Sequence, residues 1–363
     1  MRVLAVVPSI YDTSPGQRFR IEQWEPILRE GGVKITYAPF ENDELRAVLY
    51  QGGKVLTKVS AVTRNMKRRR AELADVSEYD LVYIFREAAL LGPPWFERKI
   101  AKSGVPVVFD FDDAVFVSYK SPSNGYLSYL KFPGKIAEIC KLSTHIMAGN
   151  EYLADYARAN NHAVTIIPTT IDTDKYDFIE RTDEPETITI GWSGSFSTIQ
   201  HLDTIRETLQ ELAKQENFRL RVIGAPVYKI AGVDTEAMQW RSETELHDLR
   251  QIDIGLMPLP DENWTKGKCG LKALQYMALG IPTICSPVGV NSTIIKDGVN
   301  GFLADGQAEW IDKIKRLMHS AKLRRELGRA GRETVEREYS AKAVAPKVLE
   351  VFETAVNASK KKV

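Results

Sequence analysis

Short apolar segments alternate with longer segments of helical periodicity along most of the chain. The apolar segments are rich in Val and Ile at consecutive positions, which is typical of parallel strands buried on both faces. Between two of them, Ile199, Leu202, Ile205, Leu209 and Leu212 recur at the three- and four-residue steps of one helix face. The alternation predicts an α/β fold, with parallel sheets covered by helices on both sides. The predicted strands are Val3–Val7, Val33–Tyr37, Leu81–Phe85, Val105–Phe109, His145–Ala148, Val164–Ile167, Thr187–Trp192, Leu220–Ile223, Ile252–Met257 and Pro282–Cys285.

The alternation runs twice, which predicts two doubly wound, Rossmann-like domains. The first set of strands ends near Pro168, a polar stretch runs from Asp172 to Glu186, and a new strand begins at Thr187. We expect domains over residues 1–175 and 186–340 that face each other across a cleft. In this class of fold, ligands bind at the carboxyl ends of the strands.

Composition and charge exclude several classes of protein. Hydrophobic residues make up 44% and charged residues 27% of the 363 positions, which excludes intrinsic disorder. A formal net charge of +1 argues against a dedicated nucleic-acid-binding protein. Three cysteines are too few for a disulfide framework, and no apolar run reaches the ~18–20 residues of a membrane span. Because Pro8 ends the first apolar run early, we expect no signal peptide and a cytoplasmic protein.

The segment from Thr265 to Pro282 has the order loop, helix, glycine stop and strand. A helix that opens at Gly270 offers backbone N–H groups and the positive end of its dipole to an anion. Lys268, Leu271, Lys272 and Gln275 follow the spacing of one helical face, so a phosphate there would meet two ammonium groups. A solvated lysine cluster before a packing helix is the alternative.

This segment resembles the donor-binding helix of the family 4 retaining glycosyltransferases, which have the GT-B fold. Residues 286–291 and 295–303 resemble the next loop and strand of that family, and residues 167–176 resemble its domain junction. The resemblance covers the C-terminal half well and the N-terminal half in outline. It implies a donor-binding domain over 186–340, an acceptor-binding domain over 1–175, and a C-terminal helix within 340–363 that crosses back to the first domain.

The resemblance also implies an activity. A sugar, of the hexosyl kind, would pass from a nucleotide-diphosphate-sugar donor to an acceptor hydroxyl with retention of configuration. Neither a metal nor another cofactor is expected in the chemistry. The acceptor would be a glycan, a lipid-linked molecule or a small molecule, in cell-surface polysaccharide or glycolipid synthesis. A nucleotide-sugar epimerase of the same fold and a catalytically inactive nucleotide- or glycan-binding protein remain alternatives.

The chain departs from the family where two glutamates are common. The matching positions are Gly267 and Gln275, and the segment resembles a subgroup that reads Lys-Cys-Gly-x-Lys-x-Leu-Gln-Tyr-Met-Ala. By this resemblance Cys269, Gly270 and Leu271 border the donor. The Gln275 amide is expected to bond a ribose hydroxyl. Asp261 or Glu262 is expected to replace the sugar-facing carboxylate.

A second glycine loop, residues 191–196, follows a predicted strand. By analogy with the family, Gly194 and Ser195 border the donor diphosphate, and Gly224 after the next strand is a candidate edge for the base. The Arg and Lys that the family often has after this loop are absent. We therefore expect Lys268 and Lys272 to supply the positive charge. A plain βα turn is the alternative reading of the loop.

In the first domain, polar residues follow predicted strands. Gly16 fits a family loop that contacts the donor phosphates, and Arg18 adds positive charge beside it. For Arg20, on the following helix, an exposed salt bridge is the expected fate. Arg86 follows one strand and Asp112 the next, so we expect both in the catalytic site; a helix cap with surface acids is the alternative for Asp112. His145 is expected to be structural.

The stretch from Lys54 to Arg70 carries seven basic residues and no acid. Val55, Val59, Val62 and Met66 have helical spacing within it. A basic amphipathic helix can lie on anionic lipid, which would place the protein peripherally at the inner face of a membrane. It can equally bind an acidic glycan or be a solvated helix.

Overall fold

The computed structural model describes residues 1–49, 53–118, 132–178, 180, 184–195 and 198–360. The chain forms two compact units, each built on a six-stranded parallel sheet with flanking helices. The first unit contains Met1–Thr169 and the chain from Val344 onward, and the second contains Thr170–Ala343. This is the two-domain α/β fold that the alternating pattern predicted.

The first unit has the strand order β2-β1-β3-β4-β5-β6. Its strands are β1 (Arg2–Val7), β2 (Lys34–Pro39), β3 (Leu81–Phe85), β4 (Val107–Phe111), β5 (His145–Ala148) and β6 (Val164–Ile166). Its helices are α1 (Pro15–Gln17), α2 (Gln23–Glu30), α3 (Asp43–Leu49), α4 (Val55–Glu72), α5 (Trp95–Lys102), α6 (Lys135–Leu142) and α7 (Glu151–Arg158).

The second unit has the strand order β12-β11-β10-β7-β8-β9. Its strands are β7 (Ile188–Ser193), β8 (Phe218–Ile223), β9 (Asp234–Met238), β10 (Ile254–Met257), β11 (Thr283–Cys285) and β12 (Phe302–Leu303). Its helices are α8 (Gln200–Asp203), α9 (Arg206–Ala213), α10 (Glu245–Arg250), α11 (Asn263–Lys266), α12 (Leu271–Ala278), α13 (Asn291–Ile294), α14 (Gly306–Met318) and α15 (Ala321–Thr334), and the last helix of the chain is α16 (Ala341–Lys360).

Burial explains which strands the sequence revealed. Every residue of β3, β4, β10 and β11 is buried, because helices cover both faces of these strands. Apart from Asp110 in β4 and Thr283 in β11, their residues are apolar. The edge strand β9 has no buried residue, and its sequence, Asp-Thr-Glu-Ala-Met, gave no apolar signal. The strand β9 was not predicted, whereas the two-residue β12 falls in residues 295–303, which resemble a loop and strand of the family. The expected helix from Ile199 is divided into α8 and α9, while its predicted apolar face packs in the core.

The C-terminal helix α16 belongs to the first unit from Val344 onward. Ser340 caps it, since its hydroxyl accepts the N–H of Ala343 at 3.1 Å. The Phe352 ring packs 6.0 Å from the ring of Tyr83 in β3. A Cβ at Gly31 would lie 2.9 Å from Leu349, so this glycine allows close packing of α16.

A buried ion pair lies beneath the carboxyl end of the first sheet. Arg20 and Asp110 are both fully buried, and the Arg20 Nε lies 2.9 Å from the Asp110 carboxylate. Arg20 also donates to the carbonyl of Ile167, and the Tyr83 hydroxyl donates to Asp110, both at 2.5 Å. The expectation of an exposed salt bridge for Arg20 is therefore wrong. The strand predicted to end at Phe109 continues to Phe111, so Asp110 lies within β4.

The basic stretch forms α4, but part of its charge points into the protein. Arg69 is fully buried and donates to the carbonyls of Val7, Ala38 and Ala88, at 2.7–3.1 Å. Lys58 is also buried. Burial lowers the pKa of Arg69 to about 10. The seven basic residues are therefore not all exposed, because Arg69 fixes the helix to the ends of β1 and β2.

Candidate functional site

The strand order of the second unit defines where a ligand can enter. From β7 the chain builds outward to β8 and β9, then returns to the other side of β7 with β10, β11 and β12. The connections after β7 and β10 therefore leave the sheet in opposite directions. Such a switch point opens a crevice at the carboxyl ends of the strands, where open α/β sheets bind ligands.

Two glycine turns meet at this edge of the sheet. Gly194 follows β7 and donates its N–H to the carbonyl of Ile223, at 2.9 Å. Gly224 follows β8 with a φ of +102°, and a Cβ there would collide with the carbonyl oxygen of Gly194. The close approach of these two backbones therefore requires glycine at position 224. Gly194, Ser195 and Gly224 are brought together as neighbours, and Phe196 lies outside the described residues.

Helix α12 begins on the other side of the crevice. Gly270 is its N-cap residue, with a φ of +72° and no side chain to cap the helix. The N–H groups in the first turn of an α-helix have no acceptor within the helix, and they lie at the positive end of its dipole. Leu271 opens the helix, and Cys269 is buried just before it. This start is suited to an anionic group.

Tyr276 fixes α12 against the sheet, and sequence reasoning missed it. Its hydroxyl accepts the N–H of Ser193 in β7, at 2.7 Å. A Cβ at Gly255 in β10 would collide with the Tyr276 ring. A glycine inside a strand indicates a close approach of this kind, so Gly255 was the available signal. Burial raises the pKa of Tyr276, which stays protonated.

The two predicted lysines each lie against an aromatic ring. The Lys268 Nζ is 3.4 Å from the centroid of the Trp264 ring, and the Lys272 Nζ is 5.3 Å from that of Trp192. The Trp264 ring lies 5.7 Å from the His201 ring, centroid to centroid. Cation–π contacts of this kind restrict the position of an ammonium group without neutralising it. Aromatic rings therefore hold both side chains beside the start of α12.

The acidic residues before α11 have different surroundings. Asp261 is exposed and forms an ion pair with Lys266, at 3.1 Å. Glu262 forms a capping box with Thr265 at the start of α11, which ties up its carboxylate.

Gln275 lies in a buried polar cluster. Its side-chain nitrogen donates to the Tyr176 hydroxyl and to the Glu245 carboxylate, both at 3.1 Å. Tyr176 and Trp240 also donate to Glu245, at 2.7 and 2.9 Å. Neither Glu245 nor Tyr176 was predicted, because each lies 30 or more residues from Gln275 in the sequence.

In the first unit, three predicted residues meet at the corresponding switch point between β1 and β3. Arg86 donates from Nε to Asp112, at 2.7 Å. A Cβ at Gly16 would lie 2.8 Å from the Arg86 guanidinium and 3.2 Å from the Asp112 carboxylate. The φ of Arg86 is +59°, a region that costs energy for a non-glycine residue and often marks functional sites.

Arg18 does not share this position. It is buried, with its guanidinium 4.7 Å above the Phe19 ring and 3.7 Å from the Asp12 carboxylate.

Among the described residues, no three His, Cys, Asp or Glu side chains are grouped so that they could hold a metal ion. The helices of the same ranges are too short or too polar to cross a membrane.

The fold and the two switch-point sites define a GT-B architecture, which comparison with solved structures supports. The chain superimposes on sucrose-phosphate synthase from Thermosynechococcus elongatus with a TM-score of 0.68 at 15% identity, over 99% of this chain and 100% of that one. It superimposes on Anabaena HepE in complex with UDP and glucose with a TM-score of 0.65 at 12% identity, over 98% and 100%.

Sequence comparison gives the class more directly. Residues 187–320 match the family model described as glycosyl transferases group 1. A D-inositol 3-phosphate glycosyltransferase from Geodermatophilus obscurus is 22% identical over 226 residues, 54% of this chain and 48% of that protein. One from Paenarthrobacter aurescens is 34% identical over 82 residues, 22% of this chain and 19% of that protein. The matched segments thus span half or less of these relatives. Together the findings support the GT-B fold for the chain and a glycosyl transferases group 1 segment over residues 187–320.

Proposed function

We propose that the protein transfers a sugar from a nucleoside-diphosphate-sugar donor to an acceptor hydroxyl. The observation that carries this proposal is the group of residues at the switch point of the second unit. There the start of α12, Lys268 and Lys272 lie at the switch point that Gly194 and Gly224 border. A diphosphate leaving group is the ligand chemistry that such a site fits. Binding of UDP by Anabaena HepE, a neighbour in fold, is consistent with it.

The chain's contribution to catalysis would be electrostatic. As the bond between the sugar carbon and the diphosphate oxygen breaks, negative charge grows on the diphosphate. Lys268, Lys272 and the helix dipole are fixed in place before the reaction, so they stabilise that charge without reorganising. With retention by front-face attack, the acceptor oxygen bonds to the same carbon. The acceptor proton then passes to the departing phosphate.

We propose that the first unit binds the acceptor. Arg86 and Asp112 form a hydrogen-bonded pair at its switch point, and the Asp112 carboxylate can accept a bond from an acceptor hydroxyl. Gly16 lets this pair pack directly against the turn that precedes it, because a Cβ there would lie 2.8 Å from the Arg86 guanidinium. A glycan, a lipid-linked molecule and a small molecule all present such a hydroxyl, in keeping with polysaccharide or glycolipid synthesis.

No metal ion is needed in this scheme, because the two lysines and the helix start supply the positive charge.

We also propose that the exposed part of α4 contacts anionic lipid, which would make a cytoplasmic protein peripheral at the membrane. The side chains of Val55, Leu56 and Val59 are 49%, 86% and 55% exposed. Lys54, Lys67 and Arg70 are exposed on the same helix or at its start.

A thermal-shift panel of UDP, GDP, ADP and their sugar conjugates tests the proposal. A ligand that binds only the folded state raises its melting temperature, so one nucleoside diphosphate should exceed its nucleoside and the free sugar. Equal shifts across the panel would exclude the nucleotide-sugar site. Nucleotide binding without transfer to any acceptor would favour a binding protein, and conversion of the sugar without an acceptor would favour an epimerase.

A further inference from the structure

The turn that follows β3 has a strained backbone. The N–H of Glu87 donates to the carbonyl of Phe85, at 2.7 Å, so the turn closes over the single residue Arg86. With a φ of +59° at Arg86, this is the form of γ-turn that is rare and strained. A strained turn persists only where the surrounding structure holds it against its own preference. Its supports must therefore lie in the chain around it.

Both backbone groups of Ala88 are held by buried charged side chains. Its N–H donates to the Glu97 carboxylate, at 2.9 Å, and its carbonyl accepts a bond from the Arg69 Nε, at 3.0 Å. Glu97 lies in the first turn of α5 and Arg69 in the last turn of α4, and both side chains are buried. Two helices therefore fix the same residue, two positions after Arg86.

A third helix holds the residues on either side of Ala88. Lys135, the first residue of α6, is buried and lies 2.6 Å from the Glu87 carboxylate. It also donates to the carbonyl of Ala89, at 3.0 Å. A charged group is costly to take out of water, so it is buried only where definite partners satisfy it. The three residues after Arg86 supply such partners to side chains from α4, α5 and α6.

The turn also decides where the Arg86 side chain lies. The N–H of Arg86 donates to the carbonyl of Asp110, at 2.7 Å, and its Nε donates to the Asp112 carboxylate, at 2.7 Å. The direction of a side chain follows the backbone dihedrals of its residue. If the turn relaxed to a negative φ, the Cα–Cβ bond of Arg86 would point elsewhere, and the guanidinium would leave Asp112. The contacts to Ala88 thus reach the ion pair through the backbone.

We propose that Glu97 is a positioning residue for the pair of Arg86 and Asp112, and that Arg69 and Lys135 share this role. Together they hold the turn in its strained form, so the pair is in place before an acceptor binds. An acceptor hydroxyl then meets a carboxylate that does not have to move. The inference rests on the proposed function, because it assumes that the acceptor binds at Asp112.

Urea denaturation of the full chain tests whether Glu97 holds the turn. Gly tolerates a positive φ and Ala does not, so the unfolding constant of Arg86→Gly should be about 5- to 30-fold smaller than that of Arg86→Ala. In the Glu97→Leu background the turn can relax, so this difference should vanish or reverse. Glu97→Gln keeps an oxygen for the Ala88 N–H and should preserve it. Glu138→Leu, which breaks an exposed pair with Arg98, is the matched control and should also preserve it.

Transfer assays then test whether the turn acts on the acceptor. The donor is the nucleotide sugar with the largest thermal shift, and the acceptor probes are the n-octyl glycosides of glucose, galactose and mannose. Glu97→Leu should lower kcat/KM for the acceptor by ~10- to 100-fold and leave the KM for the donor near wild type. Glu97→Gln should restore it. In Arg86→Ala, the change at Glu97 should have little further effect, because both act through one ion pair.

The outcomes separate the inference from the proposed function. A difference between Gly and Ala at position 86 that is unchanged in Glu97→Leu would overturn the support of the turn. Equal losses of transfer from Glu97→Leu with and without Arg86 would overturn the positioning role. If Glu97→Leu does not fold, Lys135→Met takes its place, since it removes the contacts to Glu87 and Ala89. No transfer to any of the three glycosides would count against the proposed function and leave the support of the turn standing.

Discussion

The ammonium group of Lys268 lies 3.4 Å from the centre of the Trp264 indole ring. The indole in turn lies against the imidazole of His201, which is buried in α8. A long flexible side chain is thereby held in one place, so less entropy is lost when it meets a charged ligand. The position of one predicted charge thus depends on two rings that no local pattern revealed.

Removing either lysine should slow transfer by reducing the charge that stabilises the leaving diphosphate. We expect Lys268→Ala to lower kcat by ~10²-fold or more, the scale of losing one preorganised donor. Lys272→Ala should lower kcat similarly or raise the KM for the donor. Lys214→Ala, at the exposed residue that follows α9, is the matched control and should stay near wild type. Steady-state kinetics on the folded variants decide this, and near-normal rates in both site variants would place the diphosphate elsewhere.

Gly224→Ala should damage the crevice and the stability of the second unit together. The new Cβ collides with the Gly194 carbonyl, and the φ of +102° strains any side chain. Gly232 has a φ of +80° with nothing within 4 Å of a Cβ, so Gly232→Ala carries the backbone strain alone, about 1–2 kcal/mol. Urea unfolding and nucleotide titration of both variants separate the two effects. Equal losses of stability and of nucleotide affinity in the two variants would show that the close contact between Gly194 and Gly224 is unimportant.

Asp110→Asn should strongly destabilise the first unit, because it leaves the buried Arg20 guanidinium without its counter-charge. Breaking such a pair costs about 3–5 kcal/mol. Arg158→Gln breaks an exposed pair with Glu151 and should cost less than about 1 kcal/mol. Chemical denaturation measures both. A loss in Asp110→Asn no larger than that in Arg158→Gln would contradict the account of this network.

His145 should make the first unit less stable in acid. Burial lowers the pKa of its imidazole below 6.5, so the folded state favours the neutral ring. For a base with a lowered pKa, stability is present above the unfolded pKa and is lost as the pH falls through it toward the folded value. His145→Gln cannot titrate, so its stability should fall less than that of wild type between pH 7.5 and 5.5. Parallel pH dependences would argue against a neutral His145.

Chemistry without a metal can be tested by chelation. If the lysines and the start of α12 supply the positive charge, transfer should continue at a similar rate after dialysis against EDTA. Loss of activity that added Mg²⁺ or Mn²⁺ restores would show that a divalent cation takes part. Assays of Lys268→Ala with and without the cation would then show whether the cation and the Lys268 ammonium group stabilise the same leaving diphosphate.

Contact with lipid should depend on the exposed positions of α4 alone. Co-sedimentation with vesicles of equal phosphatidylglycerol and phosphatidylcholine should fall as salt screens the charges, and it should fall further in Lys67→Gln/Arg70→Gln. Leu56→Ser should weaken it as well, since this side chain is 86% exposed. Lys322→Gln, an exposed position on α15, is the control. Sedimentation that none of these changes alters would leave α4 as a solvated helix.

The sequence by itself determined most of the helices and strands, and it pointed to several residues of the candidate site in the second unit. Strands such as β3 and β10 are apolar throughout because both faces are buried, and burial is written locally as a run of Val, Ile and Leu. The glycine before α12 and the lysines on either side of it could likewise be found from their spacing alone, because a helix start is a local feature. The weakly patterned edge strand β9 could not.

Only the tertiary structure decided which polar groups meet. Arg20 pairs with Asp110 across 90 positions, and Gln275 meets Tyr176 across 99. The same holds for α4, whose buried face carries Lys58, Asn65 and Arg69 beside Ala61, while Val55, Leu56 and Val59 are exposed. A buried charge is tolerated only where a partner satisfies it, and sheet order, not local periodicity, brings that partner near. Local pattern therefore specifies helices and strands, whereas the pairing of polar side chains is fixed when the strands take their places in the sheet.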